Sequence, residues 1–164
     1  MTILCWNVRG LGNPRTFRAL RFLLRDKKPR IIFLSETKTT VRQMKCVTAV
    51  GYDGVFQCWE RRQGGGFNGV DMETFRFTGF YGNPEMRLRR HSWDLLRRIA
   101  GSVQGPWIVG GDFNEILEAH EYFGRRFRPM SQMRAFREAL DECGLTTIRF
   151  QGYKFTWECQ APAR

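Results

Sequence analysis

The chain has 164 residues, of which 42% are hydrophobic and 14% aromatic, enough apolar material for one folded domain over residues 1–164 and too much for a disordered chain. Lysine and arginine number 27 against 16 acidic residues, a formal net charge of +11, which points to a polyanionic partner, nucleic acid before an anionic membrane. The five cysteines form no Cys-x-x-Cys pair and stand beside two histidines, so neither a structural zinc site nor a disulfide framework is expected.

In chain order, residues 2–7 read as a buried strand ending in polar Asn7. Asn13 suits a helix N-cap and Pro14 the first helical position. The helix runs to about Asp26, with Phe17, Ala19, Leu20, Leu23 and Leu24 as its apolar face and Pro29 closing it. The next apolar run, 31–34, ends in Ser35-Glu36-Thr37. The glycine-dense stretch 64–69 lacks the Gly-Lys-Ser/Thr ending of a phosphate-binding loop and reads as a flexible turn.

Residues 75–81 alternate as a strand and stop at Gly82-Asn83-Pro84. A helix over 86–100 presents Trp93, Leu96 and Ala100 on one side. A buried strand, 107–109, then opens into Gly110-Gly111-Asp112-Phe113-Asn114. Ser131 caps a helix carrying Met133, Phe136 and Leu140 and stopped at Gly144, and 153–157 alternate as a last strand. No stretch reaches transmembrane length, and the opening Ile3-Leu4-Cys5-Trp6 is too short for a signal-peptide core, so an intracellular chain is expected, with no membrane and no obligate protein partner.

Several apolar strands thus end in acid- or amide-bearing tips: Asn7, Glu36, and Asp112 with Asn114. Strand ends that converge would offer the oxygen ligands a hard cation such as magnesium takes, few from protein and the rest from water and phosphate. A second signal is the basic run Arg9, Arg15, Arg18, Arg21, Arg25, Lys27, Lys28 and Arg30, broken by one acid, Asp26, and echoed by Arg125, Arg126 and Arg128. Such residues suit sequence-indifferent contact with a phosphate backbone.

Four ordered blocks carry a resemblance: Cys5-Trp6-Asn7 with Arg9-Gly10, Ser35-Glu36-Thr37-Lys38, Phe80-Tyr81-Gly82, and Gly111-Asp112-Phe113-Asn114. Together they resemble the endonuclease/exonuclease/phosphatase superfamily. Asn13-Pro14-Arg15-Thr16, Trp93-Asp94-Leu95-Leu96-Arg97-Arg98, Asp112-Phe113-Asn114-Glu115-Ile116-Leu117 and Phe155-Thr156-Trp157 are similar to its branch in plant LINE-type retrotransposons. The resemblance implies an α/β fold: a layered sandwich of two mixed β-sheets flanked by helices, DNase I-like. It also implies magnesium, with manganese as an alternative, as cofactor and DNA as partner, in the nucleus.

Residue by residue, Glu36 resembles the principal metal ligand, with Asn7 beside it. Asp112 resembles the aspartate that orients or deprotonates the attacking water, Asn114 the amide that holds the scissile phosphate, and Tyr81 a phosphate-contacting tyrosine. Arg9, Arg15, Arg125 and Arg126 are the expected nucleic-acid contacts.

Three departures qualify the resemblance. Arg9 stands where abasic-site repair enzymes carry an aspartate, and Glu36 and Tyr81 are closer together than in relatives. Relatives also continue past Phe155-Thr156-Trp157 to a late aspartate and an Asp-His pair, for which His91 and His120 are poor substitutes. The expectation is a truncated copy, incomplete in the middle and at the C-terminus, with slow turnover. The rival readings are an inactive basic DNA-binding remnant and a phosphoesterase acting on a small phosphate ester.

Overall fold

The computed structural model describes residues 1–38, 67–71 (backbone only), 75–124 and 128–148. These fall into two compact units, Met1–Ser92 with Val103–Asn114, and Trp93–Ser102 with the chain from Glu115 onward.

In the first unit, β1 (Ile3–Asn7) and β2 (Ile31–Ser35) pair in parallel, Ile3 opposite Ile31 and Asn7 opposite Ser35. The crossover between them is α1 (Pro14–Lys27), which starts as the sequence predicts: the Asn13 side chain accepts a hydrogen bond from the Arg15 N–H, and Pro14 fills the first turn. Lys28, in the left-handed region at φ 43°, ends the helix. Leu20 and Leu24 of α1 are buried with Val8 and Leu11, and Leu4, Trp6, Phe17, Ile32 and Leu34 pack around them. Each fully buried leucine contributes about 1.5–3 kcal/mol. Ala19, expected on this face, is exposed.

A second sheet holds β3 (Phe67–Asp71), β4 (Arg76–Tyr81) and β5 (Trp107–Asp112), with β3 antiparallel and β5 parallel to β4. Two sequence expectations are corrected here. Phe67, Asn68 and Gly69 lie in β3 rather than a turn, because pairing with Phe80, Gly79 and Thr78 supplies ladder hydrogen bonds that local glycine preference does not register. Residues 64–66 lie outside the described residues. The strand expected over 107–109 also continues through Gly110 and Gly111 to Asp112.

Those glycines are there for close approach. A Cβ on Gly79 would fall 2.2 Å from the Phe33 ring, and one on Gly110 2.8 Å from Cys5 Sγ. One on Gly111 would meet Phe33 at 2.9 Å and the Phe80 carbonyl oxygen at 1.9 Å. β4 and β5 thus come against β1 and β2 at positions where no side chain fits.

After β4 comes a 3-10 turn, Met86–Leu88, and then α2 (Arg89–Ala100), where a single helix over 86–100 was expected. The chain enters α2 through a clamp within the first unit. Ser92 Oγ accepts from the Asn83 N–H at 2.8 Å, and Asn83 Oδ1 accepts from the Glu85 N–H at 2.9 Å. Buried Arg89 donates to the carbonyls of Asn83 and Pro84.

The second unit has its own core of Trp93, Leu96, Ile99, Met133, Phe136 and Ala139, with Trp93 and Phe136 stacked at 4.5 Å. Its helix α3 (Met130–Glu142) begins at Pro129 rather than at a Ser131 cap, since the proline already holds φ at −62° and Ser131 falls inside the first turn. Its end at Gly144, φ +65°, is as expected. The strand predicted at 153–157 lies outside the described residues.

Candidate active site

The parallel pairings decide where the polar tips go. Asn7 is the last residue of β1 and Glu36 follows the last residue of β2, in adjacent register positions. Tyr81 and Asp112 end β4 and β5 and are direct register partners. Four strands therefore deliver their C-terminal residues to one edge, where open α/β sheets commonly bind ligands.

There the side chains form one hydrogen-bonded cluster. The Asn7 amide donates to Glu36 Oε1 at 2.8 Å and to Asp112 Oδ2 at 2.9 Å. The Tyr81 hydroxyl donates to the same Glu36 oxygen at 2.8 Å. Asp112 Oδ1 accepts from the Asn114 N–H at 2.9 Å, and the Asn114 side-chain amide donates to the Gly82 carbonyl at 2.8 Å. Asn7, Glu36, Tyr81, Asp112 and Asn114 are thus brought together.

The backbone is bent to achieve this. Asn7 and Asp112 each accept from the N–H two residues on, a turn that lifts the chain off the strand. Asn114 is left-handed at φ 55°, which asparagine tolerates. Glu36, at φ 50°, is held there at a cost of order 1 kcal/mol. Parallel pairing continued past the strand ends holds it: Val8, Gly10 and Leu11 donate to the carbonyls of Ser35, Glu36 and Thr37 at 2.8–3.0 Å.

Partial burial pushes the Glu36 carboxyl up, but hydrogen bonds from Asn7 and Tyr81 and the charges of Arg9 and Lys38 outweigh it. The net value lies below the ordinary 4.5. The sign follows: ionised Glu36 contributes stability that is complete above 4.5 and is lost as pH falls through the lower folded value. A carbon-detected titration of the Glu36 carboxyl should have its midpoint below 4.5; a midpoint at or above that value would contradict the geometry.

Of the expected nucleic-acid contacts, Arg9 is exposed beside Glu36 and acts on its charge, and Arg15 is exposed at the start of α1. Arg125 and Arg126 lie outside the described residues. His91 and His120 are both exposed, on α2 and on a short 3-10 turn, Ala119–Glu121. Tyr81 donates its proton to Glu36, a contact the sequence did not suggest.

Sequence reasoning missed Gly82, whose carbonyl orients Asn114, and the clamp of Asn83, Arg89 and Ser92 that fixes the turn after Tyr81. Gly82 admits no side chain, since a Cβ would fall 2.0 Å from the Phe113 carbonyl oxygen. Buried Arg89 looks in sequence like any member of the run Arg87, Arg89, Arg90. Replacing it by alanine orphans two carbonyls and leaves a void. A loss of about 2–4 kcal/mol in denaturant unfolding is expected, against less than about 0.5 for exposed Arg90→Ala.

Comparison with known sequences finds that residues 4–160 match the profile of the Endonuclease/Exonuclease/phosphatase family. No curated protein and no solved structure matches the chain. Enzymes of the family generally depend on a divalent metal. Among the described residues no three of His, Cys, Asp and Glu come together.

The oxygen donors at the strand tips fit a hard cation. Glu36 is ionised, half-exposed and hydrogen-bonded through Oε1, while among the described residues Oε2 accepts nothing. Asp112 is the next carboxylate, linked to Glu36 through the Asn7 amide. An oxygen donor set with few protein ligands is what magnesium-type ions take. With its profile matched over almost its whole length and its oxygen-bearing strand tips gathered at one edge, the chain belongs to the Endonuclease/Exonuclease/phosphatase family, whose members are phosphodiesterase- and nuclease-type hydrolases.

Proposed function

We propose that the chain is a magnesium-dependent DNA endonuclease of the retroelement type, built on the family's two-sheet sandwich and acting on chromosomal DNA in the nucleus. What supports the reading is the convergence of Asn7, Glu36, Tyr81, Asp112 and Asn114 in one cluster on a chain of net charge +11. Glu36, with Asn7 beside it, would hold magnesium, or manganese in its place. Such an ion, when bound, neutralises charge on non-bridging phosphate oxygens and lowers the pKa of water.

The chain's own groups do the rest. Asp112 has each oxygen engaged by one donor, which leaves a lone pair on each to orient a water and take its proton. Asn114 spends one amide N–H on the Gly82 carbonyl, so the other is aimed by the protein and donates to the phosphate as its charge develops. Tyr81, by donating its hydroxyl proton to Glu36, holds that carboxylate in its rotamer and charge state. Arg9 and Arg15 contact the backbone of the bound DNA, giving affinity without sequence choice.

The substrate class is tested by offering supercoiled plasmid and a small phosphomonoester under the same magnesium concentrations. Plasmid nicking that needs magnesium, with no turnover of the monoester, is expected. Turnover of the monoester alone would shift the reading to a small-molecule phosphatase.

A further inference from the structure

We infer that the outward face of α1 is a binding track for single-stranded nucleic acid, centred on Phe22. Phe22 is 68% exposed, although α1 has a buried apolar side in which a phenylalanine could have been placed. At 100° per residue, Arg15, Arg18, Arg21, Phe22 and Arg25 fall within about 120° of the helix surface, opposite Leu20 and Leu24. All five are exposed, and among the described residues no carboxylate pairs with any of the four arginines. The helix's acid, Asp26, is taken by Lys27 at 2.8 Å.

This face is not arranged for the helix's own benefit. Like charges three or four residues apart destabilise a helix by a few tenths of a kcal/mol per pair. Arg15 also sits in a first turn that holds no acid, where the helix dipole disfavours a cation. A polyanion laid along the face removes both penalties. Successive arginines rise about 4.5–6 Å along the axis, a ladder that a backbone with one charge per nucleotide can follow.

The aromatic decides what kind of polyanion. A base can stack on an exposed ring flanked by guanidinium groups only when it is unpaired, so the fit is to a single strand rather than a duplex. A membrane surface is a poor match, because interfacial helices bury a broad apolar face and the apolar face of α1 is already used in the core. The crossover from β1 to β2 makes α1 antiparallel to both strands. Its N-terminus therefore lies at the edge where the strands end, and its 14 residues run about 21 Å away from it.

The proposal rests on the reading of the chain as a nucleic-acid enzyme but not on its chemistry, so binding is measured in EDTA, by anisotropy of labelled oligothymidylate and of a blunt duplex. Phe22→Ala should weaken oligothymidylate binding about tenfold while changing duplex binding less than about twofold, and Phe22→Trp should retain it. Replacing Arg18, Arg21 and Arg25 by alanine should reduce the slope of log affinity against log salt by about 2. Unchanged oligothymidylate affinity in Phe22→Ala, or an equal loss on duplex, would overturn the proposal. So would competition by polyglutamate, or capture by phosphatidylserine vesicles, that depends on Phe22 as strongly. If Phe22-dependent strand binding is found but plasmid nicking is not, the track stands and the endonuclease reading fails.

Discussion

Asp112→Ala should reduce magnesium-dependent plasmid nicking by about 10²–10⁴-fold, the usual range for removing a positioned general base. The side chain accepts from the Asn7 amide and from the Asn114 N–H, and in the proposed function it also positions the reacting water. Its loss therefore also loosens the turn that points Asn114, which places the effect toward the upper end of that range. The fold should survive, because the two lost bonds are only part-buried and together contribute about 2 kcal/mol at most. A variant that still unfolds cooperatively, with Tm lowered by no more than about 8 °C, yet has lost its nicking is the expected result. Undiminished nicking would remove Asp112 from the reaction.

The second large effect is structural. Gly111 has φ +150°, and a Cβ there would fall 1.9 Å from the Phe80 carbonyl oxygen and 2.9 Å from the Phe33 ring. The Phe80 carbonyl cannot yield, being backbone of the paired strand, and the Phe33 ring would have to shift. Backbone strain and overpacking together predict a loss of about 3–5 kcal/mol for Gly111→Ala. In thermal unfolding that corresponds to a fall in Tm of about 10 °C or more. Gly12→Ala is the control, since nothing lies within 4 Å of a Cβ there and the melting point should hold. Equal melting of both variants would mean that β5 does not approach β2 as described.

These glycines also mark how far the sequence could be read. The helices and their caps were legible where the signal was local, as with Asn13-Pro14 at the start of α1 and Gly144 at the end of α3. The gathering of the strand tips at the candidate site was legible for a similar reason: each polar tip follows an apolar strand, and parallel pairing of β1 with β2 and β4 with β5 aligns the tips.

What escaped was set by contacts far apart in sequence. Phe67–Gly69 read as a turn because nothing local reveals that Phe80, Gly79 and Thr78 will pair with them. Gly110 and Gly111 read as a loop opening, although their lack of a side chain is what lets β5 come against Cys5 and Phe33. Arg89 was hidden among surface arginines because its burial depends on where the turn after Tyr81 lies. The bond from Tyr81 to Glu36 joins residues 45 apart and has no signature in either segment.

The central claim is that a divalent ion binds at the strand-tip cluster through Glu36, and paramagnetic relaxation by manganese tests it without relying on turnover. Titrating Mn²⁺ into labelled protein should first broaden the side-chain amide resonances of Asn7 and Asn114, leaving backbone amides at the far end of α1, such as that of Lys28, sharp. Glu36→Gln keeps the size of the side chain but replaces the ionised carboxylate, and should weaken this broadening by at least tenfold in manganese concentration. Selective broadening of the Asn7 and Asn114 side chains that is lost in Glu36→Gln is the predicted result. Broadening centred elsewhere, or unchanged in Glu36→Gln, would contradict the account.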